Sequence, residues 1–425
     1  MFPKLRFKEF DENWKEVTLK NCITSIDSGW SPQCESYPAN SSEWGVLKTT
    51  SVDWSGFNSS FNKKLPLELT PRKEIEVKPL DILVTRAGPT ERVGVVSVVP
   101  HSVRSKLMIS DKLIRLKSNE ENNPLFLGIS LSSVKCQNQL QSKTSGLAKS
   151  QTNISQKILG EVLLKLPSKE EQTKIASFLS AVDEKISQLT KKHELLSQYK
   201  QGMMQKLFSQ QLRFKADDGS EFGEWEEVKF SGIFNFHQTN SYSRALLAEY
   251  GEIMNIHYGD IHTKFSMLFD VNKESVPFLN DEVDTSKIAK EQFLKVGDLV
   301  IADASEDYKD IGKSIEVISL NNQKVVAGLH TYIARPVKPF ALGFCGYMMQ
   351  TFPVREQIKK LATGISVLGI SKTNLGKVEL KVPSLEEQTK IANFLSAIDQ
   401  KIEVVVQQIE QAKQWKKGLL QQMFV

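Results

Sequence analysis

The sequence predicts an α+β protein made of two globular domains, each followed by a long helix that pairs with the other. Three observations predict it. The segment PSKEEQTKIASFLSAVDEKI (167–186) returns as PSLEEQTKIANFLSAIDQKI (383–402), identical at 16 of 20 positions and 216 residues later in a chain of 425. Behind each copy, apolar residues recur with the seven-residue period of a helix seam. Ahead of each copy lie short β-rich runs punctuated by turn residues, and these runs differ between the halves.

Taken in order, the repeat extends faintly beyond the helices. LRFKEFDENWKEVTL (5–19) reappears as LRFKADDGSEFGEWEEVKF (212–230), with four residues inserted before the Trp. In mid-domain, VKPLDILVTRAG (77–88) parallels LKVGDLVIADAS (294–305). The runs DILVT, VGVVSVV and KLIRL read as strands in the first half, and DLVIA, SIEVISL and HTYIAR answer them in the second. FLGISLSSVKCQNQL and LGFCGYMMQTFPVREQIKKLA then read as one helix each, followed by loops carrying Gly146 and Gly364. NISQKILGEVLLKLPS (153–168) aligns with GISKTNLGKVELKVPS (369–384) just before the long helices. The expected divisions are a first domain over 1–165, its helix over 166–210, a second domain over 211–381 and its helix over 382–425.

Both long helices open with a capping box, Ser168 with Glu171 and Ser384 with Glu387, in which hydroxyl and carboxylate satisfy the free N–H groups of the first turn. The first seam runs through Ile175, Leu179, Val182, Ile186, Leu189 and Leu196. The second runs through Ile391, Leu395, Ile398, Ile402, Val405 and Ile409. Polar breaks correspond as well: His193 falls where the other copy has Ile409, and Lys200 where it has Lys416. A helix of about 40 residues is roughly 60 Å long and cannot bury such a stripe alone, so each copy is the nearest partner for the other.

Hydrophobic residues make up 40% of the chain and charged residues 25%. No apolar run approaches the ~20 residues that span a bilayer, and MFPKLRFKEFDENW lacks the apolar core of a secretory leader. The expectation is a cytoplasmic protein with no membrane partner. Its four cysteines, far apart and without a CxxC, read as buried thiols rather than disulfides or a zinc site. The net charge of +5 is unevenly placed. Residues 122–160 hold no acid, and residues 319–378 hold one acid against eight Lys and Arg. A basic stretch at the same place in both halves points to a polyanion surface.

No catalytic constellation emerges. GKS at 312–314 lacks the first glycine of a phosphate loop, position 307 being Asp307, and a strand pattern rather than a helix follows it. GxSxG and HExxH are absent, and the six histidines do not cluster with acids at metal-ligand spacing. A binding or assembly protein remains.

The pattern PSxEEQTKIAxFLSAxDxKI at the head of a seam helix, present twice, resembles the specificity (S) subunits of type I restriction-modification enzymes. So does the half-plan around it, the K(P/V)xDLV-type strand, the Gly loop and the (N/G)IS…LG…LxLPS run. The resemblance implies two target recognition domains related by a pseudo-twofold axis, each reading half of a bipartite double-stranded DNA site, with the helices packed as an antiparallel coiled coil that sets the spacer. It also implies docking of two methyltransferase (M) subunits, joined by restriction (R) subunits. This chain is then non-catalytic and holds no cofactor, with S-adenosylmethionine, ATP and Mg on the partners. The alternative is a coiled-coil scaffold without a DNA role. Candidate DNA-binding residues are Arg86, Arg92, Lys143 and Lys149 in the first domain, and Lys309, Lys313, Lys360 and Lys372 in the second. Arg86 has Asp303 as its counterpart, an acid that accepts from cytosine N4 or caps a turn; the turn is the simpler reading. Trp14 and Trp225 recur with the scaffold and read as core.

Overall fold

A computed structural model describes residues 3–144 and 152–424. The chain divides into two compact units, Met1–Thr190 with Gln407–Val425, and Lys191–Val406. Each unit holds one globular domain, the opening of one long helix and the closing turns of the other.

The first domain is built on a four-stranded antiparallel sheet of β1 (Ile23–Ser28), β2 (Ile82–Thr85), β3 (Val96–Val98) and β4 (Leu113–Ser118), in the order β1-β4-β2-β3. The second repeats that order with β5 (Phe234–His237), β7 (Leu299–Ala302), β8 (Ser314–Ser319) and β9 (Thr331–Pro336). A parallel edge strand, β6 (Leu268–Asp270), is added, giving β5-β9-β7-β8-β6. The central strands β2 and β7 are buried along their whole length, which fits their apolar composition, broken only by Thr85. Alternation sorts their side chains between two layers. Ile82 and Val84 join the core beneath the helices, while Leu83 joins the core beneath a smaller sheet. Leu299 and Ile301 divide from Val300 and Ala302 in the same way.

The turn entering each central strand is also duplicated. Asp81 accepts from the Lys78 N–H at 2.8 Å, and Asp298 from the Lys295 N–H at 2.7 Å. The residue before each acid has positive φ, 68° at Leu80 and 92° at Gly297. An arginine of the neighbouring strand reaches each acid, Arg115 at 3.6 Å and Arg335 at 2.7 Å.

The single helix expected after the sheet is two helices in each domain. These are α1 (Pro124–Leu131) and α2 (Val134–Ser142) in the first, and α4 (Phe344–Met349) and α5 (Phe352–Leu361) in the second. Side chains that compete for backbone groups break them. Ser132 Oγ donates to the Gly128 carbonyl and Ser133 Oγ accepts from the Cys136 N–H. Thr351 Oγ1 donates to the Met348 carbonyl, and Pro353 at the start of α5 has no N–H to continue the ladder.

The long helices are α3 (Lys169–Phe208) and α6 (Leu385–Met423). Among the seam residues, Ile175, Leu179, Val182, Leu189, Ile391, Leu395, Ile398, Val405 and Ile409 are buried; Ile186, Leu196 and Ile402 are half-buried. The opening heptads do more than pair helices, because Ile175, Leu179 and Val182 share one core with Trp14, Phe126 and Leu164 of the first domain. Leu419 and Met423 of α6 join that core, and Leu207 of α3 joins the corresponding core of the second domain. In the first unit Lys416 meets Asp183 at 2.5 Å; in the second Lys200 meets Asp399 at 2.5 Å. In each unit the beginning of one helix therefore lies against the end of the other, the antiparallel pairing.

The capping boxes close only on one side. Ser168 and Ser384 Oγ accept from the N–H of Glu171 and Glu387 at 3.4 and 3.3 Å. The two carboxylates, each 1% exposed, do not reach back. Arg6 donates to Glu171 through Nε and Nη2, and Arg213 does the same to Glu387. A forked guanidinium satisfies a buried carboxylate better than one backbone amide. The following Gln172 and Gln388 tie the helices to their domains by accepting from the N–H of Asn123 and Ala341.

Cys22, Cys136 and Cys345 are buried free thiols and Cys34 is a half-buried one. Among the described residues no helix is long and apolar enough to cross a membrane.

Candidate nucleic-acid interface

In the second domain, polar, aromatic and basic groups gather where β7 ends beside the start of β9. Beyond β7 the chain passes Asp303 and pairs Ala304–Ser305 with Leu368–Gly369. That short ladder joins two loops, 303–310 and 362–370. The second loop is closed by reciprocal Thr363–Gly369 backbone hydrogen bonds of 2.9 and 2.7 Å. Gly364 makes the turn possible: its φ is 127°, and a Cβ there would stand 2.1 Å from the Val367 carbonyl oxygen. Ile365 and Val367 project from it, fully and half exposed.

Asp303 Oδ1 lies 3.2 Å from Nδ1 of His330, whose φ of 55° turns the chain into β9. The acid thus meets an imidazole instead of capping a turn. Burial, reinforced by the charge of Asp303, pushes the Tyr332 phenol up to about 12. Its hydroxyl donates to the Ile370 carbonyl at 3.1 Å. Lys372 holds its ammonium 5.2 Å from the Tyr332 ring centroid. Beside them Tyr258 makes edge contacts with His262 and His330. Burial, then the charge of Arg244, keeps the neighbouring His257 below the usual imidazole range.

The structure brings only some of the basic candidates to this place. Lys372 stands within it, and Lys309 is exposed in the first loop, where Asp307 at 3.1 Å raises its pKa. Lys313 turns inward and donates to the His262 carbonyl at 2.7 Å, which makes it a tie between elements. Lys360 is exposed on the last turn of α5. Arg355, passed over in the sequence, fixes the first loop by donating to the carbonyls of Lys309, Ile311 and Gly312.

In the first domain Arg86 holds the strand-end position, half-buried, with its guanidinium 3.5 Å from the Asp111 carbonyl oxygen. The next residues, Ala87–Gly88, pair with Thr152–Asn153, as their counterparts do in the second domain. Arg92 is committed to the fold: it bonds Asp53 at 2.6 Å and the Val52 carbonyl at 2.8 Å, clamping a hairpin. The amide of Ser55, then Arg92, holds the Asp53 carboxyl below its usual range. Lys143 is exposed at the end of α2, and Lys149 lies outside the described residues.

Away from these strand ends, each unit carries a cleft at the same place in its scaffold. The first, of about 250 Å³, is lined by Trp14, Gln139 and Phe424 among others; the second, of about 500 Å³, is lined by the corresponding Trp225, Gln357 and Phe208. Both tryptophans are buried, so neither offers a base-stacking face. Trp225 donates to Glu387 at 3.0 Å, while the Trp14 indole N–H has no partner among the described residues.

The family model of the type I restriction modification DNA specificity domain matches residues 34–197 and 223–414, once in each half. The chain belongs to this family. It is 40% identical over 171 residues to the EcoEI specificity subunit of Escherichia coli, a stretch covering 40% of this chain and 29% of that protein. It is 27% identical over 360 residues to the MjaVIII specificity subunit of Methanocaldococcus jannaschii, covering 82% and 79% of the two chains. The fold is that of the S subunit of the type I system of M. genitalium, with a TM-score of 0.61 over 100% of this chain and 99% of that one at 16% identity. A specificity subunit is the non-catalytic, DNA-recognising component of such a system, and a scaffold role without DNA is not favoured.

Proposed function

We propose that each globular domain binds one half of a bipartite duplex DNA target, while the α3–α6 pair sets the unread distance between the halves. The observation that carries this reading is the contrast between a scaffold whose helix-start, turn and strand contacts recur in both halves and strand-end loops that share a frame but not a chemistry. Half-sites about one helical turn, roughly 34 Å, apart suit helices of this length. Exposed Lys143, Lys309, Lys360 and Lys372 contribute phosphate attraction, and Lys149 belongs to the same proposal.

The repeated scaffold faces dock two identical methyltransferase subunits, and restriction subunits join that core. The paired clefts around Trp14 and Trp225 support a partner that arrives twice. S-adenosylmethionine, ATP and Mg act on those subunits, and the assembly works on DNA in the cytoplasm. The test is methylation mapping in cells carrying this chain with its methyltransferase. One bipartite motif with a fixed gap is the expected result. Methylation or cleavage of DNA by the purified chain alone overturns the assignment.

A further inference from the structure

We propose that one scaffold position, Arg86 with Lys112 in the first domain and Asp303 with His330 in the second, reads base edges in both halves of the target, through donors in the first and acceptors in the second. This rests on the DNA-recognition reading above and names residues through which the two halves come to differ.

The backbone establishes the equivalence. The Arg86 N–H donates to the Lys112 carbonyl at 2.8 Å, and the Asp303 N–H to the His330 carbonyl at 3.1 Å. The carbonyls of Arg86 and Asp303 then accept from the N–H of Ile154 and Ile370 at 3.0 and 2.9 Å. Each residue follows the last position of the central strand, and each partner precedes the first position of the strand beside it.

Residues that hold the scaffold keep their identity across the repeat. Arg6 and Arg213 grip Glu171 and Glu387, and Asp81 and Asp298 close the same turn. Gln139 and Gln357 each bracket one strand residue, donating to its carbonyl and accepting from its N–H. The strand-end position reverses its charge on an unchanged set of backbone bonds. Folding alone gives no reason for that reversal; recognition of two different sequences does.

The chemistry follows from the donor inventory. Guanidinium and ammonium only donate, so Arg86 and Lys112 suit the O6 and N7 acceptors of guanine. Ionised Asp303 only accepts, so the shared proton sits on Nδ1 of His330. In the tautomer that donates from Nδ1 to Asp303, the ring carries its lone pair on Nε2, and the side chain is 49% exposed. Two acceptors side by side suit an exocyclic amino group, cytosine N4 or adenine N6. A carboxylate here also argues against a phosphate contact, which it would repel; Lys372 and Lys309 nearby supply that attraction.

The experiment uses the chain assembled with its methyltransferase subunits. Once methylation mapping has given the two half-sites, duplexes are made in which amino groups of the second half-site are removed one at a time. Cytosine is replaced by 2-pyrimidinone and adenine by purine, so the position that responds identifies the base. One deletion is expected to weaken binding by the wild type about 5- to 100-fold. The D303A/H330A variant is expected to be indifferent to that deletion while still discriminating the first half-site, which shows that it is folded. A variant that keeps the full wild-type response, or loses discrimination in both half-sites alike, overturns the proposal. A wild type that recognises no bipartite motif overturns the DNA-recognition reading itself, and the proposal with it.

Discussion

Arg6 and Glu171, 165 positions apart, are joined by two hydrogen bonds of 2.7 Å. Arg213 and Glu387 repeat the fork at 3.0 and 2.8 Å. Phe7 meets Phe178 edge-on, and Phe214 meets Phe394. Lys174 and Lys390 reach back to Glu9 and Asp217. The duplicated LRF segments and the duplicated EEQTKIAxF segments are thus the two sides of one contact, which is why both had to be repeated together. Replacing Arg213 by Ala leaves a carboxylate that is 1% exposed without its main donor. The expected loss is about 2–4 kcal/mol in urea unfolding of the second unit, with Arg213→Lys recovering only part because an ammonium cannot fork.

The Lys416–Asp183 pair is half in solvent, so its contribution is small and its value lies in orientation. Lys416→Glu is expected to cost about 0.5–1 kcal/mol, and adding Asp183→Lys to restore most of it. The same reversal at Asp399 should cost more, because Asp399 also accepts from the Tyr347 hydroxyl at 2.7 Å. A double-mutant cycle of thermal unfolding checks both, and no recovery in the swapped pair would remove this contact from the helix interface.

Glu316 gives the second unit a pH dependence. Burial raises its pKa from 4.5 to about 7, against backbone N–H groups of Gly346 and Gly343 that favour the charged form. A raised carboxyl binds its proton more tightly when folded, so the stability from this group is complete below about pH 4.5. It is lost as pH rises towards 7, by about 3 kcal/mol in all. Glu316→Gln should flatten that part of the profile in urea titrations at pH 5, 6 and 8. An unchanged slope would place the titration elsewhere.

Gly364→Ala puts a Cβ against the Val367 carbonyl oxygen in a loop outside both cores. Overall melting should shift little, while affinity for the second half-site falls at least several-fold with the first half-site still read. Competition binding with half-site-substituted duplexes measures this.

One heptad inserted into each long helix, between the Asp183–Lys416 and Lys200–Asp399 pairs, preserves the seam phase and adds about 10 Å. Methylation mapping should then return the same half-sites with a wider gap. A changed half-site would refute the role of the helices in spacing.

Much of this was legible in the linear sequence. The seam residues from Ile175 to Ile409, the central strands and the scaffold tryptophans could be read because helix and strand periodicities are local and the duplication shows each twice. The broken helices at Ser133 and Thr351 were missed because a single hydroxyl competing for a backbone group carries no periodic signal. The candidate contacts were only partly legible. Charge marked the basic stretches, but nothing in composition separates exposed Lys372 from Lys313, which is tied to a carbonyl, or from Arg92, which is clamped to Asp53.

By itself, then, the sequence determined that this chain is one plan written twice, with two long helices and two unlike surfaces, because repetition and period survive in one dimension. Tertiary structure decided which residues meet. Arg6 finds Glu171, and Lys112 and His330 come to stand beside Arg86 and Asp303, through strand pairing and burial between positions far apart in the chain. Hydrogen bonds and desolvation act over a few ångströms of space, so residue type and spacing alone do not reveal them.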